Sequence, residues 1–374
     1  MSELSGKSYR VGVIGFAHMH VNELVERFAA TGRSPIVACA DMVCRTPSLT
    51  TVEGSRRANL KRALGLASAP RLYQDYCELL SAERLDIAIV CPENARHSEV
   101  AEAAAERGVH IVTEKPMAAN LAEAERMAAA ARKGGVTLAV NWPIAWSPAF
   151  IRLKSLVEEK AVGELWELKW RNPASLGPLA LGGAHPGGTV VSGLVSDEEK
   201  AAEWWHQAET GGGALLDYCC YGACLAAWLM PEAPISVIGL ALNLMSPFGD
   251  ADDNATILVR FPAGLAILEA SWTTVHNGPS PLVTLYGTSG TIAVGGDKIE
   301  IWQEKGANAP SRLENGRPPP PGRANIAEEF LHHLATGEPL HPLLDLQLNL
   351  KTMAILDAGI RSVKSGAAEP VKRA

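Results

Sequence analysis

Apolar residues recur along the first 140 residues in two alternating patterns. Short runs rich in β-branched residues predict strands, and apolar residues spaced three and four apart predict helices. Because the predicted strands are apolar on both faces, we expect a parallel sheet with helices on both sides, the architecture of a Rossmann dinucleotide-binding domain. The strands are predicted at 9–15, 35–41, 85–92, 109–116 and 136–142, and the helices at 20–30, 52–66, 97–108 and 121–135.

The pattern changes after residue 147. A helical segment at 147–160 leads into GELWELKW (163–170), in which apolar and charged residues alternate as in a half-buried strand. Two similar strands, 254–261 and 265–272, follow each other closely and predict a hairpin. We therefore expect an α+β C-terminal domain with a mainly antiparallel, open sheet flanked by helices, the last of them at 343–363.

Segment 172–210 has no regular pattern and is rich in glycine and proline. Loops of that length are uncommon in compact domains and are often lids or binding loops, although a surface insertion is an equal alternative. With this loop in the second domain, the predicted division of the chain is 1–143 for dinucleotide binding and 144–374 for substrate binding and oligomerisation.

The net charge and the cysteine content indicate which partners and which cellular compartment to expect. The chain has 374 residues, a formal net charge of −7 and seven cysteines. Nucleic-acid-binding proteins are usually basic on one face, and no apolar run is long enough to span a bilayer, so we expect neither nucleic acid nor a membrane as partner. Scattered cysteines without an apolar export signal predict free thiols and a cytoplasmic protein.

The first predicted strand runs into GVIGFAHMHV, where a dinucleotide-binding loop would have the pattern G-x-G-x-x-G. Gly15 occupies the first glycine position, but Ala17 and His20 replace the other two. Because the loop lies between a strand and a helix, we nevertheless predict that it binds a dinucleotide cofactor. The loop residues expected to do so are Gly15, Phe16, Ala17, His18 and Met19.

Asp41 ends the second predicted strand. An acidic residue there binds the ribose hydroxyls next to adenine and repels a 2′-phosphate, so we predict NAD as cofactor, with NADP less favoured. Arg45 could soften this preference, and the alternative for Asp41 is a helix N-cap or a turn residue. We expect no metal, because no carboxylate or cysteine accompanies His18 and His20 at ligand spacing and the cysteine cluster at 219–224 fits no zinc motif.

Two further segments carry a resemblance to one enzyme family. CPENARHSEVAEAAAERGVHIVTEKPMA (91–118) is similar to the Pro-Asn-x-x-His turn and the Glu-Lys-Pro strand end of the Gfo/Idh/MocA family. GGGALLDYCCYGACLAAWL (211–229) resembles the glycine triplet of that family, with its Asp and, four residues on, a His or Tyr. The family includes glucose–fructose oxidoreductase and inositol dehydrogenase. The resemblance therefore implies an NAD(P)-dependent oxidoreductase acting on a sugar, cyclitol or related polyol.

The resemblance also implies roles for single residues. Lys115 would hydrogen-bond the hydroxyl that is oxidised, Tyr221 would act as general acid–base, and Asp217 would orient substrate hydroxyls. We expect Lys115 to lower the pKa of the Tyr221 phenol, and the Lys115–Pro116 peptide bond to be cis. Besides the glycine loop and Asp41, the residues expected at the cofactor are Cys91, Pro92, Glu93, Asn94, His97, Glu114, Lys115 and Asn141.

Several interpretations stay open. Glu114 and Lys115 could form an exposed charged turn. Asp217 could be a charge at the start of a helix, and Tyr221 could be a core residue. Aromatic residues near the motifs could line the substrate site or fill the core. The substrate candidates are Trp142, Trp146, Arg171, His185, Trp204, Trp205 and His206.

Two other functions remain possible from the sequence: a glycosidase of this fold that uses held NAD, and a regulator that senses NAD(P) or a sugar without turnover. The resemblance further implies a homodimer or homotetramer. The contact would be made through the second face of the C-terminal sheet, where we expect Leu165, Leu258 and Leu282 among charged residues.

Overall fold

The computed structural model describes residues 6–44, 46–171, 183–184, 190–191, 195–246, 249–274 and 281–373. Its N-terminal part contains a six-stranded sheet in the order β3-β2-β1-β4-β5-β6, in which every neighbouring pair is parallel. The strands are β1 (Val11–Ile14), β2 (Ile36–Ala40), β3 (Arg71–Tyr73), β4 (Ile87–Val90), β5 (His110–Thr113) and β6 (Leu138–Val140). The strand order reverses between β1 and β4, and sheets of this kind bind ligands beyond the carboxyl ends of the strands at that point.

Five helices connect these strands: α1 (Val21–Ala30), α2 (Arg56–Leu64), α3 (Tyr76–Ala82), α4 (His97–Ala105) and α5 (Leu121–Gly134). Helix α5 shows how sequence sets a boundary: the Asn120 side chain accepts a hydrogen bond from the Glu123 N–H, and Gly135 closes the helix in the left-handed region. The predicted Rossmann domain is confirmed. The prediction missed β3 and α3, because an element of three or seven residues is too short to show a period.

The C-terminal part forms a nine-stranded sheet in the order β16-β15-β14-β13-β7-β12-β11-β10-β17. The pairs are antiparallel except β7 with β12. The strands are β7 (Leu165–Arg171), β10 (Ser236–Leu242), β11 (Asn254–Phe261), β12 (Gly264–Ser271), β13 (Val283–Gly287), β14 (Gly290–Gly295), β15 (Lys298–Trp302), β16 (Arg312–Asn315) and β17 (Glu369–Pro370); a separate pair consists of β8 (Gly183–Ala184) and β9 (Val190–Val191). The predicted open antiparallel sheet and its β11–β12 hairpin are confirmed.

The helices of this part are α6 (Pro148–Glu158), α7 (Asp197–Ala202), α8 (Cys220–Leu229), α9 (Ile326–Thr336) and α10 (Leu346–Ser365). Helix α8 continues directly from a π-helical turn, Leu215–Cys219, and packs against β7, β12 and α10. Helix α10 also contacts α5, so it joins the two sheets into one body. The division of the chain at residue 143 stays a prediction.

The face of the nine-stranded sheet that α8 and α10 leave open carries exposed apolar side chains. They include Ile238, Leu240, Leu242, Leu258 and Leu265. Leu258 was predicted there, and Leu282 is partly buried against the core. The prediction for Leu165 is wrong: a register shift at the β13–β7 pairing breaks the alternation of β7, and Leu165 is buried.

All seven cysteines are free thiols, as predicted. One segment of the described chain, Ala208–Leu229, is long and apolar enough to cross a bilayer, and 78% of its most apolar window is buried inside the fold.

Candidate active site

Four loops meet at the carboxyl edge of the six-stranded sheet, where β1, β2, β4 and β5 end. The first begins at Gly15, whose φ is +85°. A Cβ at this position would lie 2.3 Å from the Pro92 nitrogen in the loop after β4, so only glycine allows the two loops to approach this closely. The switch-point edge and the glycine both fit a dinucleotide cofactor.

The glycine loop is buried and held by hydrogen bonds along its length. The Phe16 N–H donates to Asp41 Oδ1 (3.2 Å), and the Ala17 N–H donates to the Cys91 carbonyl (3.0 Å). The His20 N–H donates to His18 Nδ1 (3.1 Å), so an imidazole occupies the start of α1, where the standard motif has glycine. These contacts hold His18 and His20 in the loop despite the two missing glycines.

Asp41 and Glu93 are joined by a residue that the sequence did not indicate. Arg56, at the start of α2, donates from Nη1 to Asp41 Oδ1 (2.6 Å) and from Nη2 to Glu93 Oε1. Burial raises the pKa of Asp41, and Arg56 opposes that shift. The N-cap interpretation of Asp41 is wrong, since Ser55 caps α2. Arg45 lies outside the described residues.

The turn after β4 is tied to other loops. Asn94 Nδ2 donates to the Gly211 carbonyl (2.8 Å) in the C-terminal part. The His97 ring nitrogens lie 3.2 Å from the Met117 carbonyl and 3.3 Å from the Pro92 carbonyl, and burial lowers the pKa of His97. His97 is fully buried, and its ring links the loop after β4 to the loop after β5.

Lys115 lies in the loop after β5, and its ammonium is fully buried. Nζ donates to Asp217 Oδ1 (2.7 Å) and to the Asp217 carbonyl (3.1 Å). Burial alone would lower the pKa of Lys115, but the carboxylate of Asp217 outweighs it and holds the pKa well above its usual value. The Lys115–Pro116 bond is cis, as predicted. The exposed-turn interpretation of Lys115 is therefore wrong.

Tyr221 lies against the same ammonium, with Lys115 Nζ 4.8 Å from the ring centroid. Trp142 meets the ring edge-on at 5.4 Å and Trp170 stacks on it at 5.6 Å. Burial raises the pKa of Tyr221, and the positive charge of Lys115 opposes this without reversing it. Lys115 thus lowers the pKa of the phenol as expected, but desolvation is the larger effect and leaves the pKa raised overall.

Asp217 sits in the π-helical turn before α8, and both of its carboxylate oxygens are used. Oδ1 accepts from Lys115, and Oδ2 accepts from Trp272 Nε1 (3.1 Å) at the end of β12. Asp217 is buried, and it lies in the first turn of this helical segment, so the alternative of a charge at a helix start also fits its position. It acts on Lys115 as a fixed counter-ion, and no sequence signal indicated Trp272.

Glu114 precedes Lys115 and is also fully hydrogen-bonded. Its carboxylate lies 3.1 Å from His20 Nδ1 and accepts from the Asn141 amide and from the Lys115 N–H. Burial raises the pKa of Glu114, but these partners leave it lowered overall. The premise that no carboxylate accompanies the histidines is wrong, since ligand atoms of His18, His20 and Glu114 lie within 4.8 Å of one another. Because these bonds already satisfy Glu114, we interpret the cluster as a hydrogen-bonded support of the loop.

The substrate candidates are spread over several places. Trp142 contacts Tyr221, and its Nε1 donates to Asn349 (2.7 Å). His206 meets Trp272 edge-on at 5.7 Å, and burial lowers the pKa of His206 to about 4. The remaining candidates lie elsewhere: Trp204 and Trp205 pack near His18, Trp146 is 5.9 Å from the His341 ring and Arg171 pairs with Glu269 (2.9 Å). His185 lies outside the described residues.

Known proteins match this chain over both of its parts. A family model described as an oxidoreductase family with an NAD-binding Rossmann fold matches residues 9–142, and one described as a GFO/IDH/MocA C-terminal domain matches residues 150–293. D-apiose dehydrogenase of Paraburkholderia graminis is 26% identical, over 82% of this chain and 78% of that protein. Myo-inositol 2-dehydrogenase of Thermotoga maritima is 24% identical, over 66% of each chain.

Solved structures share the fold. The WlbA dehydrogenase of Bordetella pertussis, in complex with NADH and UDP-GlcNAcA, superposes with a TM-score of 0.71 at 20% identity, covering 98% of this chain and 99% of the other. The two family models together span most of the sequence, and the residues that they match include Lys115 and Asp217. The chain therefore belongs to the Gfo/Idh/MocA family of NAD(P)-dependent oxidoreductases.

Proposed function

We propose that the protein is a dehydrogenase that uses NAD to oxidise a secondary alcohol of a sugar, cyclitol or related polyol. The observation that carries this proposal is the buried Lys115–Asp217 pair with the Tyr221 ring against it, at the carboxyl edge of the Rossmann sheet. The relatives act on the same chemical class, since their names specify apiose and myo-inositol.

Bound NAD supplies the chemistry of hydride acceptance. The residues fitted to hold it are the glycine loop, Asp41, Glu93 and Asn94, which surround the switch point of the sheet. Lys115, kept charged by Asp217, donates a hydrogen bond to the substrate oxygen and stabilises the negative charge that develops there. Trp272 holds the second oxygen of Asp217, so the counter-ion cannot turn away from the lysine.

Tyr221 exchanges the proton of the reacting oxygen. Its raised pKa means that the phenol is protonated near neutrality, which suits donation to a carbonyl in the reductive direction. In the oxidative direction the tyrosinate accepts the alcohol proton, and the ammonium of Lys115 is the charge that favours this form.

The test is reduction of NAD, followed by absorbance, by the purified protein with a panel of neutral sugars, cyclitols and polyols. We expect turnover with at least one substrate and its loss in Lys115→Met, whereas Lys61→Met on the exposed surface of α2 keeps it. Binding of NAD without turnover of any compound would favour the sensing regulator. Release of a sugar from a glycoside without net NADH would favour the glycosidase, which no contact described above supports.

We also propose that the protein is a homodimer or homotetramer of the cytoplasm that pairs through the open face of the nine-stranded sheet. The support is the row of exposed Ile238, Leu240, Leu242 and Leu258, since apolar patches on soluble proteins often mark contact surfaces. Light scattering at micromolar concentration is the test, and a monomer mass would count against the proposal.

A further inference from the structure

The helical segment that carries Asp217 and Tyr221 begins directly after the glycine triplet at 211–213. The first N–H groups of a helix have no partner within it and are commonly bound by the side chain of a residue at its start. Glycine offers no side chain for this purpose, and Ala214, at the N-cap position, has no polar side chain either. The acceptors therefore come from another part of the chain.

Asp252, two positions before β11, supplies these acceptors. Its carbonyl accepts from the Ala214 N–H (2.8 Å), and its Oδ2 accepts from the Leu215 N–H (2.7 Å). Gly213 allows the carboxylate to come this close, since its φ is +105° and a Cβ there would lie 2.4 Å from Asp252 Oδ1. The helical segment is thus capped by a residue that lies 37 positions from Leu215 in the sequence.

The charge of Asp252 suits a position at the start of a helix. Burial raises its pKa to about 6, and the bond from the Leu215 N–H opposes that shift, so the carboxyl is largely ionised at neutral pH. A carboxylate there is favoured by the helix dipole, and it accepts stronger hydrogen bonds than a neutral group. The neighbouring Asp253 uses its carboxylate elsewhere, on the N–H groups of Leu244 (2.8 Å) and Met245 (2.7 Å).

The position of Asp217 depends on this cap. The Asp217 N–H donates to the Gly213 carbonyl (3.1 Å), so Asp217 follows one turn after the capped start. Lys115 Nζ binds the main-chain carbonyl of Asp217 as well as its carboxylate. The ion pair is therefore set by where the backbone of this turn lies, and Tyr221 follows on the same segment.

The residue after Asp252 supports Asp217 from a second side. The Trp272 N–H donates to the Asp253 carbonyl (2.8 Å), and Trp272 Nε1 donates to Asp217 Oδ2 (3.1 Å). Asp252 and Asp253 thus stand between the two supports of Asp217, which are the helix start and Trp272. A displacement at Asp252 would affect both supports.

We propose that Asp252 is a positioning residue of the reaction, which caps the helical segment 214–229 and thereby holds Asp217 and Tyr221 against Lys115. This inference rests on the proposed function, since it gives Asp252 a part in the same turnover. Asp252 acts on Lys115 through Asp217 and takes no part in proton transfer. The loops expected to hold NAD follow β1, β2 and β4, so loss of the cap should lower turnover while the nucleotide still binds.

The experiment compares the parent protein with Asp252→Ala and Asp252→Asn, using NAD and the compound that the panel shows to be oxidised fastest. For Asp252→Ala we expect kcat to fall by about 10- to 100-fold with an unchanged NAD Kd, because small displacements of reacting groups have effects of this size. Asp252→Asn should keep most of the parent kcat, since its amide oxygen can accept from the same N–H. The matched control is Asp250→Ala, which removes a nearby carboxylate that accepts from the Ala208 N–H (2.8 Å) of another turn, and kcat should not change.

Amide hydrogen exchange, followed by mass spectrometry, gives a second readout that needs no substrate. We expect Asp252→Ala to speed exchange within 214–221, whereas Asp252→Asn should exchange like the parent there. Asp250→Ala should speed exchange only near 208–210. A general loss of stability would instead raise exchange throughout the chain, so the measurement distinguishes a local role from a global one.

The outcomes separate this inference from the proposed function. Parental kcat in Asp252→Ala, with or without faster exchange at 214–221, would overturn the positioning role and leave the proposed function intact. If the parent oxidises no compound, the proposed function fails and the role of Asp252 in turnover fails with it, while exchange still shows whether the residue caps the segment. Thermal melting identifies a variant that does not fold, in which case Asp252→Ser, with a shorter polar side chain, replaces Asp252→Ala.

Discussion

At the scale of residues, the central feature is a lysine that keeps its charge out of contact with water. A buried ammonium without a counter-ion would lose its proton, because burial disfavours the charged form. Asp217 prevents this at 2.7 Å, and Trp272 fixes Asp217 in turn. We therefore expect the proton chemistry to fall to Tyr221, whose ring shares the site.

Replacing Tyr221 with Phe tests this division of labour. The substitution keeps the stacking on Trp170 and removes only the hydroxyl, so turnover should fall by about 10²–10⁴ while NAD affinity barely changes. The effect should not add to that of Lys115→Met, because both residues act on one proton. Steady-state kinetics and NAD titration are the measurements, with Tyr286→Phe on the open sheet as control. Near-normal turnover in Tyr221→Phe would make His206 the better candidate base.

The pH dependence of turnover follows from the raised pKa of Tyr221. In alcohol oxidation the tyrosinate is the acceptor, and its fraction grows tenfold per pH unit below the pKa. Oxidation should therefore accelerate steadily between about pH 7 and pH 10, whereas carbonyl reduction, in which the phenol donates, should change little. Initial rates in both directions across this range are the measurement. An oxidation rate that levels off near pH 7 would mean that a group with a lower pKa accepts the proton.

The motifs allowed Lys115, Asp217, Tyr221 and the glycine loop to be predicted, because each is set by a local pattern. Their partners could not be predicted in the same way. Trp272 lies 55 positions from Asp217, and Glu114 lies 94 positions from His20. A single sequence carries no record of such pairs, and the sign of the Tyr221 pKa shift depends on the burial that they create.

At the scale of elements, helix α8 positions Tyr221 by packing closely on the sheet. Gly222 makes this approach possible: a Cβ there would lie 2.8 Å from Leu268 Cδ2 and 2.8 Å from Trp170 Cγ. The predicted helices and strands were recovered wherever they were long enough to show a period. The register shift in β7 and the π-helical turn at Leu215–Cys219 were not predicted, because both depend on contacts with neighbouring strands.

The substitution Gly222→Ala should push α8 away from the sheet. Overpacking of this kind costs about 1–3 kcal/mol of unfolding free energy, and turnover should fall as well because Tyr221 moves with the helix. Chemical denaturation and kinetics measure the two effects. Gly295→Ala is the control, since an added Cβ there meets nothing within 4 Å. A variant as stable as the parent would mean that α8 can shift without loss.

At the scale of the whole molecule, the open face of the nine-stranded sheet is the surface expected to pair. Leu258 lies on β11, the third strand from the β17 edge, with Ile238 and Ile267 as cross-strand neighbours. Leu258→Asp should convert the proposed homo-oligomer to smaller species, because a charge buried in an apolar contact is strongly disfavoured. Light scattering gives the mass, with Leu72→Asp on β3, the exposed edge strand of the six-stranded sheet, as control. An unchanged mass for Leu258→Asp would place the contact elsewhere.

The Lys115–Asp217 pair joins two parts of the chain that fold into different sheets. Neither part alone contains both Lys115, which we propose stabilises the negative charge on the substrate, and Asp217, which keeps Lys115 charged. In evolution, the part that forms the nine-stranded sheet can be exchanged or reshaped for a new substrate while the nucleotide-binding part stays unchanged. On the proposed roles, such a recombined chain would be active at once only if it retained the carboxylate of Asp217 and the phenol of Tyr221, so we expect these two positions to limit which exchanges can survive.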